Sequence, residues 1–227
     1  MKVSSHANQS SLSARLRRDR MRYLDGMIHA SGRRDLLLAD LGGTRSFWEM
    51  NLPHLKNKDC LARIDIFNLD AALQKDCEIG GIPVRFRPGD VTNLSDAADG
   101  QYDIAFSNSV IEHVGNLDLQ NRAACEIRRI ARDFMVQTPN LRFPLEPHFY
   151  VPLFPFLPLG VRAWLHQHFK LGWLPPEPDA LRARIDCDQI RLLSQQEIRL
   201  LFPGAAVYKE RLAGMVKSFI VIGKGGS

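Results

Sequence analysis

Two short stretches hold the residue types best suited to chemistry. The first is Gly42-Gly43, which follows Leu36-Leu37-Leu38-Ala39-Asp40-Leu41 and precedes Thr44-Arg45-Ser46-Phe47-Trp48. An unbroken apolar start suits a strand covered on both faces, as in a parallel sheet. The glycines remove side chains that would keep a ligand off the backbone, and the N–H groups of a helix start favour an anionic or polar group. A nucleotide or nucleoside pocket is the chemistry such a unit serves. A turn that is glycine-rich only for close packing is the competing reading. The second stretch is Phe143-Pro144-Leu145-Glu146-Pro147-His148-Phe149-Tyr150, where two titratable groups stand among hydrophobes. Desolvation raises a carboxyl pKa and lowers that of an imidazole, so His148 reads as a neutral base and Glu146 as the group that orients it.

Other chemistries find little support. Cys60, Cys77, Cys125 and Cys187 are scattered without a C-x-x-C pair, and His166 and His168 are spaced to point to different sides of a helix. No metal site is expected from either set, and unpaired thiols suit a reduced, cytoplasmic protein. The 227 residues, 45% apolar and 24% charged, suit one large globular domain. The net charge of +5 is concentrated near the N-terminus, in Arg15, Arg17, Arg18, Arg20, Arg22, Arg33 and Arg34. Such a run could meet nucleic acid or an anionic membrane, but no aromatic residues interleave with it, and a solvated helix face is the preferred reading. Met1–Ser11 is polar and lacks an apolar leader core, and no apolar run is long enough to span a bilayer.

Positioning these residues requires alternating elements. An amphipathic helix is expected from Ser11 to Ala30, with Leu12, Leu16, Tyr23, Leu24, Met27 and Ile28 in one stripe and the arginines opposite. After the organising strand come a short helix from Ser46, strands at Leu61–Leu69 and Pro83–Arg87 with a helical piece at Asp70–Asp76 between them, and a strand at Tyr102–Ser107. A helix at Leu117–Arg132 and a strand at Asp133–Thr138 follow. Alternation of this kind predicts a parallel α/β sheet with crossover helices. Leu141–Pro178 breaks the rhythm with prolines and aromatics and reads as an insertion. Ser194-Gln195-Gln196-Glu197 is a capping box, and Ala205–Glu210 and Val216–Ile222 read as an antiparallel closing pair. The organisation expected is a tail and helix over 1–32 and a main domain over 33–227, with the insertion at 141–178.

Four of these features agree in order and spacing: Asp40-Leu41-Gly42-Gly43, a second strand ending at Asn68, the Gly89-Asp90 corner, and Tyr102-Asp103-Ile104-Ala105-Phe106-Ser107-Asn108-Ser109-Val110-Ile111-Glu112-His113-Val114. The last resembles the "FDLV-SN-VLEHV" segment of class I S-adenosylmethionine-dependent methyltransferases. The resemblance runs from Leu36 to Thr138. It implies a Rossmann-like, doubly wound, mostly parallel sheet of about seven strands with an antiparallel closing strand and a lid insertion. It also implies S-adenosylmethionine as cofactor and metal-independent methyl transfer to a small acceptor, which the aromatic insertion would make apolar or aromatic.

The resemblance assigns the cofactor's amino-acid end to Asp40, Gly42 and Gly43. Asn68 falls at the ribose, Asp90 at the adenine amino group with Val91 beside it, and Ser107 and Asn108 at the methionine moiety. His113 would stand near the methyl group as a rival to His148, and the N-terminal helix would cap the crevice. The sequence departs from the family pattern at Thr44 and Ser46, which replace glycines, and at Asn68, which replaces an acid; Asp65 and Asp70 are nearby alternatives for the ribose. These departures motivate a second reading, a non-catalytic binding or assembly module on the same fold. The insertion reads as the acceptor site or as a segment that only covers a core, and Phe154, Phe156 and Leu157 give a weaker third reading, as a membrane contact. A nicotinamide oxidoreductase would need G-x-G-x-x-G, which Gly42–Phe47 is not, and no Asn/Asp-Pro-Pro-aromatic signature of base-amino methylation follows Phe106.

Overall fold

The computed structural model describes residues 12–70, 74–145, 149, 151–172 and 174–226. In chain order the elements are α1 (Leu12–Ala30), β1 (Leu36–Leu41), α2 (Arg45–Asn51), β2 (Leu61–Asn68), β3 (Cys77–Ile79), β4 (Ile82–Pro88), β5 (Tyr102–Asn108), α3 (Leu117–Ile130) and β6 (Ala131–Pro139). Then come α4 (Leu159–His168), α5 (Ala180–Asp188), α6 (Gln195–Leu201), β7 (Ala206–Leu212) and β8 (Met215–Lys224). The strands form one sheet in the order β3-β4-β2-β1-β5-β6-β8-β7. β4, β2, β1, β5 and β6 run parallel, while β3, β7 and β8 join antiparallel to their neighbours. The architecture is thus a mixed, mostly parallel Rossmann-like sheet. From β1 the chain builds outward through β2 and β4, and from β5 it builds the other way. The reversal between β1 and β5 opens a crevice at the carboxyl ends of these strands, where α/β sheets bind ligands.

Two cores sandwich the sheet. On one face Met21, Leu24 and Ile28 of α1 pack with Trp48 of α2 against Leu36, Leu38, Ile64, Ile66 and Phe106. On the other, α3 and α6 cover Ala39, Leu41, Ala105, Phe134 and Val136. α1 is therefore a layer of the core, with Leu24 at 0% exposure. Its buried stripe also includes Arg20, at 7% exposure, so the expectation that every arginine faces solvent fails at this residue. Tyr23, expected in the stripe, instead lies at the rim against Tyr208.

The helical piece expected at Asp70–Asp76 is not formed at its described residues, 70 and 74–76. Of Asp70–Asp76, residues 71–73 lie outside the described residues, and Cys77–Ile79 pairs with β4 across the Gly80-Gly81 turn. Both of those glycines have positive φ, 57° and 84°, which a tight two-residue reversal requires. Residues 89–101 cross from β4 to β5 as turns. Arg129 of α3 pins them by donating to the carbonyls of Leu94 and Ala97, at 2.9 and 2.7 Å, while Glu126 accepts from the Leu94 N–H at 2.6 Å.

The aromatic segment leaves β6 at Asn140 and returns at Leu193, where the two residues form a bridge. The excursion therefore includes α5 and runs past Pro178. It carries its own small core of Phe149, Phe154, Leu171 and Cys187, with the two phenyl rings stacked at 4.3 Å. Phe154 is consumed in that core, whereas Phe156 is 57% exposed.

Leu24→Ala is expected to cost about 2–5 kcal/mol, the range for a buried leucine in a close-packed core. Urea unfolding followed by circular dichroism checks this; a loss within about 0.5 kcal/mol, typical of surface substitutions, would mean that α1 is only draped over the domain.

Candidate active site

The site is assembled at the carboxyl ends of β1, β2 and β5. Asp40, next to last in β1, is 1% exposed, and its side chain accepts a hydrogen bond from Trp48 Nε1 at 2.6 Å. Burial pushes this carboxyl up to about 7, against the opposing effect of the Trp48 bond. The chain then turns directly over the carboxyl. A Cβ on Gly43 would lie 1.7 Å from Asp40 Oδ2, and one on Gly42 would lie 2.6 Å from a Val110 methyl. Gly42 also has φ of 80°. The glycines are required by this packing, whatever binds above them.

The turn is tied to the neighbouring strand ends. The Gly42 N–H donates to Phe67 O at 2.7 Å, and Asn68 Nδ2 donates to Gly43 O at 3.1 Å. The Gly89 N–H in turn donates to Asn68 O at 3.3 Å, and Ser107 Oγ donates to Leu41 O at 3.4 Å. Gly42, Gly43, Asn68, Gly89 and Ser107 thus converge. Asp90, next to Gly89, is exposed; its Oδ1 accepts from the Thr92 N–H and hydroxyl at 2.8 Å each, closing its own turn. Val91 turns inward onto the α3 side of the core.

Thr44 serves the helix that follows the turn. Its hydroxyl accepts from the Phe47 N–H at 3.2 Å and so caps α2, with Ser46 Oγ at 3.2 Å beside it. The alternative ribose residue Asp65 is occupied elsewhere: Arg63 Nε donates to it at 2.7 Å and Tyr102 Oη at 2.9 Å. Burial, then the charge of Asp65, raises the Tyr102 pKa, so the phenol stays protonated as the donor.

Beyond β5 the backbone enters the left-handed region at Ser109, φ 57°, and a short turn, Ile111–His113, follows. His113 is exposed at this edge, its N–H bonded to Val110 O at 2.8 Å. Glu112 is buried and accepts from Thr138 Oγ1 at 3.0 Å. The returning end of the insertion is stitched to this turn. The Arg191 N–H donates to Glu112 O at 2.8 Å, and Gln120 Nε2 donates to both Ile111 O and Arg191 O. His148 and Glu146 lie outside the described residues. His166 and His168 differ as their spacing implied: His166 is buried beside Asp186 at 3.5 Å, and His168 stacks on Trp164.

A cleft of about 550 Å³ lies at the foot of the insertion, lined by Asn140, Arg142, Ser194, Gln196, Arg199 and Phe219. A smaller one of about 360 Å³ is lined by Arg63, Asp65, Phe67, Arg87 and Tyr102. Neither includes the glycine turn, so the site is defined by the convergence of strand ends and not by cavity size. Among the described residues no group of three or more His, Cys, Asp or Glu is placed to hold a metal, and no helix is long and apolar enough to cross a membrane.

Two residues escaped the sequence reading. Leu69, just past Asn68, is 74% exposed at the edge of the crevice. Arg20 reaches Asn108 from α1 at 3.0 Å. For Arg20 the only hint in the sequence was its place between Leu16 and Leu24 at helical spacing.

Comparison with known proteins agrees with this fold. Residues 54–133 match the model of a family described as a methyltransferase domain. An O-methyltransferase family protein from Burkholderia thailandensis has a similar fold, with TM-score 0.55 and 14% identity over 95% of this chain and 58% of that one. So does magnesium protoporphyrin IX methyltransferase from Synechocystis, solved with bound SAH, with TM-score 0.54 and 13% identity over 96% of this chain and 90% of that one. An uncharacterised protein of Mycobacterium tuberculosis is 33% identical over 70 residues, 31% of this chain. The chain covers 24% of that relative's length. The fold is that of S-adenosylmethionine-dependent methyltransferases.

Two outcomes test the turn. Gly43→Ala is expected to cost about 1–3 kcal/mol, as overpacking does, read by urea unfolding. Asp40 gives a pH signature. Its folded-state pKa lies above its unfolded value, so the native state binds the extra proton and stability falls as pH rises from about 4 to about 7. Asp40→Asn keeps an acceptor for Trp48 without a titrating charge. Its melting temperature should match wild type near pH 4 and exceed it at pH 8; a constant difference across that range would place the titration elsewhere.

Proposed function

We propose that this methyltransferase fold binds S-adenosylmethionine at the β1–β2–β5 edge and transfers its methyl group to a small apolar or aromatic acceptor held under the insertion. The observation that carries the reading is the direct hydrogen bonding of Gly42, Gly43, Asn68 and Gly89 into one edge, with Asp90 beside it and Ser107 and Asn108 adjoining. The residues present suit the cofactor. Asn68 spends an N–H on Gly43 O, and its Oδ1, which accepts from the Asp70 N–H at 3.4 Å, keeps a second lone pair for a ribose hydroxyl. Asp90 is exposed, and only its Oδ1 serves the turn, which leaves the second oxygen for an adenine amino group. The exposed Leu69 offers an apolar surface for a purine face. Asp40 lies beneath the turn and supports it, so the turn backbone of Gly42 and Gly43 meets the amino-acid end.

When bound, the cofactor supplies a methyl group already activated on a sulfonium, so the protein's tasks are to orient, exclude water and accept a proton. His148, oriented by Glu146, is the assigned base, and His113 is the rival at the same edge. The insertion supplies exposed aromatics for an apolar wall: Trp164 lies edge-on to Phe169 at 5.7 Å, and Phe156 is exposed. A membrane role for these side chains is a weaker reading, since Phe154 is already consumed in the insertion's core.

Calorimetric titration with S-adenosylmethionine and its demethylated product tests the reading. Asp90→Ala is expected to weaken binding about tenfold, as loss of one hydrogen bond does, with the melting temperature little changed. Asn68→Asp should keep or tighten binding through a charge-assisted bond. His148→Gln and His113→Gln should leave affinity unchanged, because their role is proton removal. A wild-type chain that binds neither compound would favour the non-catalytic module.

A further inference from the structure

Arg20 is a cation that α1 carries into the protein interior, and its donors are committed on three elements. Nε and Nη2 donate to the two carboxylate oxygens of Glu210 on β7, both at 2.8 Å. Nη1 donates to Asn108 Oδ1 at the end of β5 and to Gln137 Oε1 on β6, both at 3.0 Å. Gln137 Oε1 also accepts from Ser109 Oγ at 2.8 Å, and the Ser109 N–H donates to Gln137 O at 2.9 Å. Ser109 is thereby held in its left-handed backbone, a conformation that costs a non-glycine residue free energy and persists only where surroundings impose it.

The chemistry of Arg20 dictates the orientation of Asn108. A guanidinium can only donate, so the atom facing it must be the amide oxygen. The amide NH₂ then points away from Arg20. We propose that Arg20 is a positioning residue: it locks Asn108 as a hydrogen-bond donor toward the cofactor crevice, selecting an oxygen acceptor there, such as the carboxylate of an amino-acid moiety. The inference rests on the cofactor reading above. Glu210 makes the lock rigid. Its burial alone would raise its pKa, but the bonds and charge of Arg20, then Ser218 and Lys217, hold it below the usual carboxylate range, so it stays ionised as a bidentate partner.

The alternative, that Arg20 only fastens α1 to the closing strands, predicts a different pattern. The test is a double-mutant cycle on affinity for the demethylated cofactor, with Arg20→Met, Asn108→Ala and the double variant. Each single change is expected to weaken binding about tenfold, and the double variant no more than either alone, because Arg20 acts through Asn108. Arg20→Lys is the second variant, should Arg20→Met fail to fold. A single ammonium can keep the charge on Glu210 but cannot also hold Asn108 and Gln137 in the same geometry. It should therefore fold and still lose affinity. The side-chain amide resonances of Asn108, read by NMR without ligand, should shift in Arg20→Lys. Wild-type affinity in a folded Arg20 variant, fully additive losses, or unmoved Asn108 resonances would overturn the assignment. A wild-type chain that does not bind would overturn it together with the cofactor reading, whereas binding that is merely insensitive to Arg20 overturns the assignment alone.

Discussion

A buried carboxyl beneath a backbone turn governs the centre of this molecule. Asp40 sits at the end of a strand with almost no solvent, and Gly43 passes so close above it that no side chain could occupy that position. Trp48 closes the arrangement from α2, and its ring is itself part of the core below the sheet. The turn cannot move without uncovering Asp40 or displacing Trp48. The positions bonded to it inherit that rigidity: Phe67 and Asn68 through hydrogen bonds, and Val110 through contact with Gly42. A ligand edge made of backbone groups needs such a support, because a turn free to adapt would bind with a larger entropic cost.

The same edge is also held by charge. Arg20 joins α1 to β5, β6 and β7, and its bidentate partner Glu210 also accepts from Ser218 on β8. A buried ion pair of this kind contributes less to stability than its Coulomb attraction suggests, since both ions lose their hydration. Its effect is geometric: it fixes the direction of neighbouring amides, and a chain position well over a hundred residues away determines how α1 is seated. Neutral caps start the helices on each face of the sheet, with the Thr44 hydroxyl serving α2 and Asn116 serving α3.

Turns replace helices in the connection from β4 to β5, and side chains supply the order that helix hydrogen bonds would have given. Arg129 and Glu126, one turn apart on α3, satisfy the carbonyls and an N–H of residues 94–97. Their salt bridge holds Arg129 firmly protonated and Glu126 ionised, with the Glu126 pKa lowered chiefly by Arg129. The insertion follows another strategy. It folds around its own aromatic pair and is fastened to the domain at both ends, by the Asn140–Leu193 bridge and by the Arg191–Glu112 bond. Its exposed aromatics are thereby free of any duty in the main core.

The sequence by itself determined the alternation of strands and helices, the glycine turn and the capping box at Ser194, because each follows from local periodicity, backbone freedom or a hydrogen bond within a few residues. It also carried the order of the crevice residues, since a parallel sheet brings successive strand ends to one edge. Only the tertiary structure decided what those residues touch there. Thr44, a departure from the family's glycine, caps α2. Asp40, read as a ligand contact, is buried with Gly43 passing directly over its carboxyl. Asp65 looked available for a ribose and is committed to Arg63 and Tyr102. Arg20 looked solvated and is buried. In each case the deciding partner lies across the sheet or along the side chain's own direction, and spacing along a chain carries no record of which group will meet a side chain once two layers close on it.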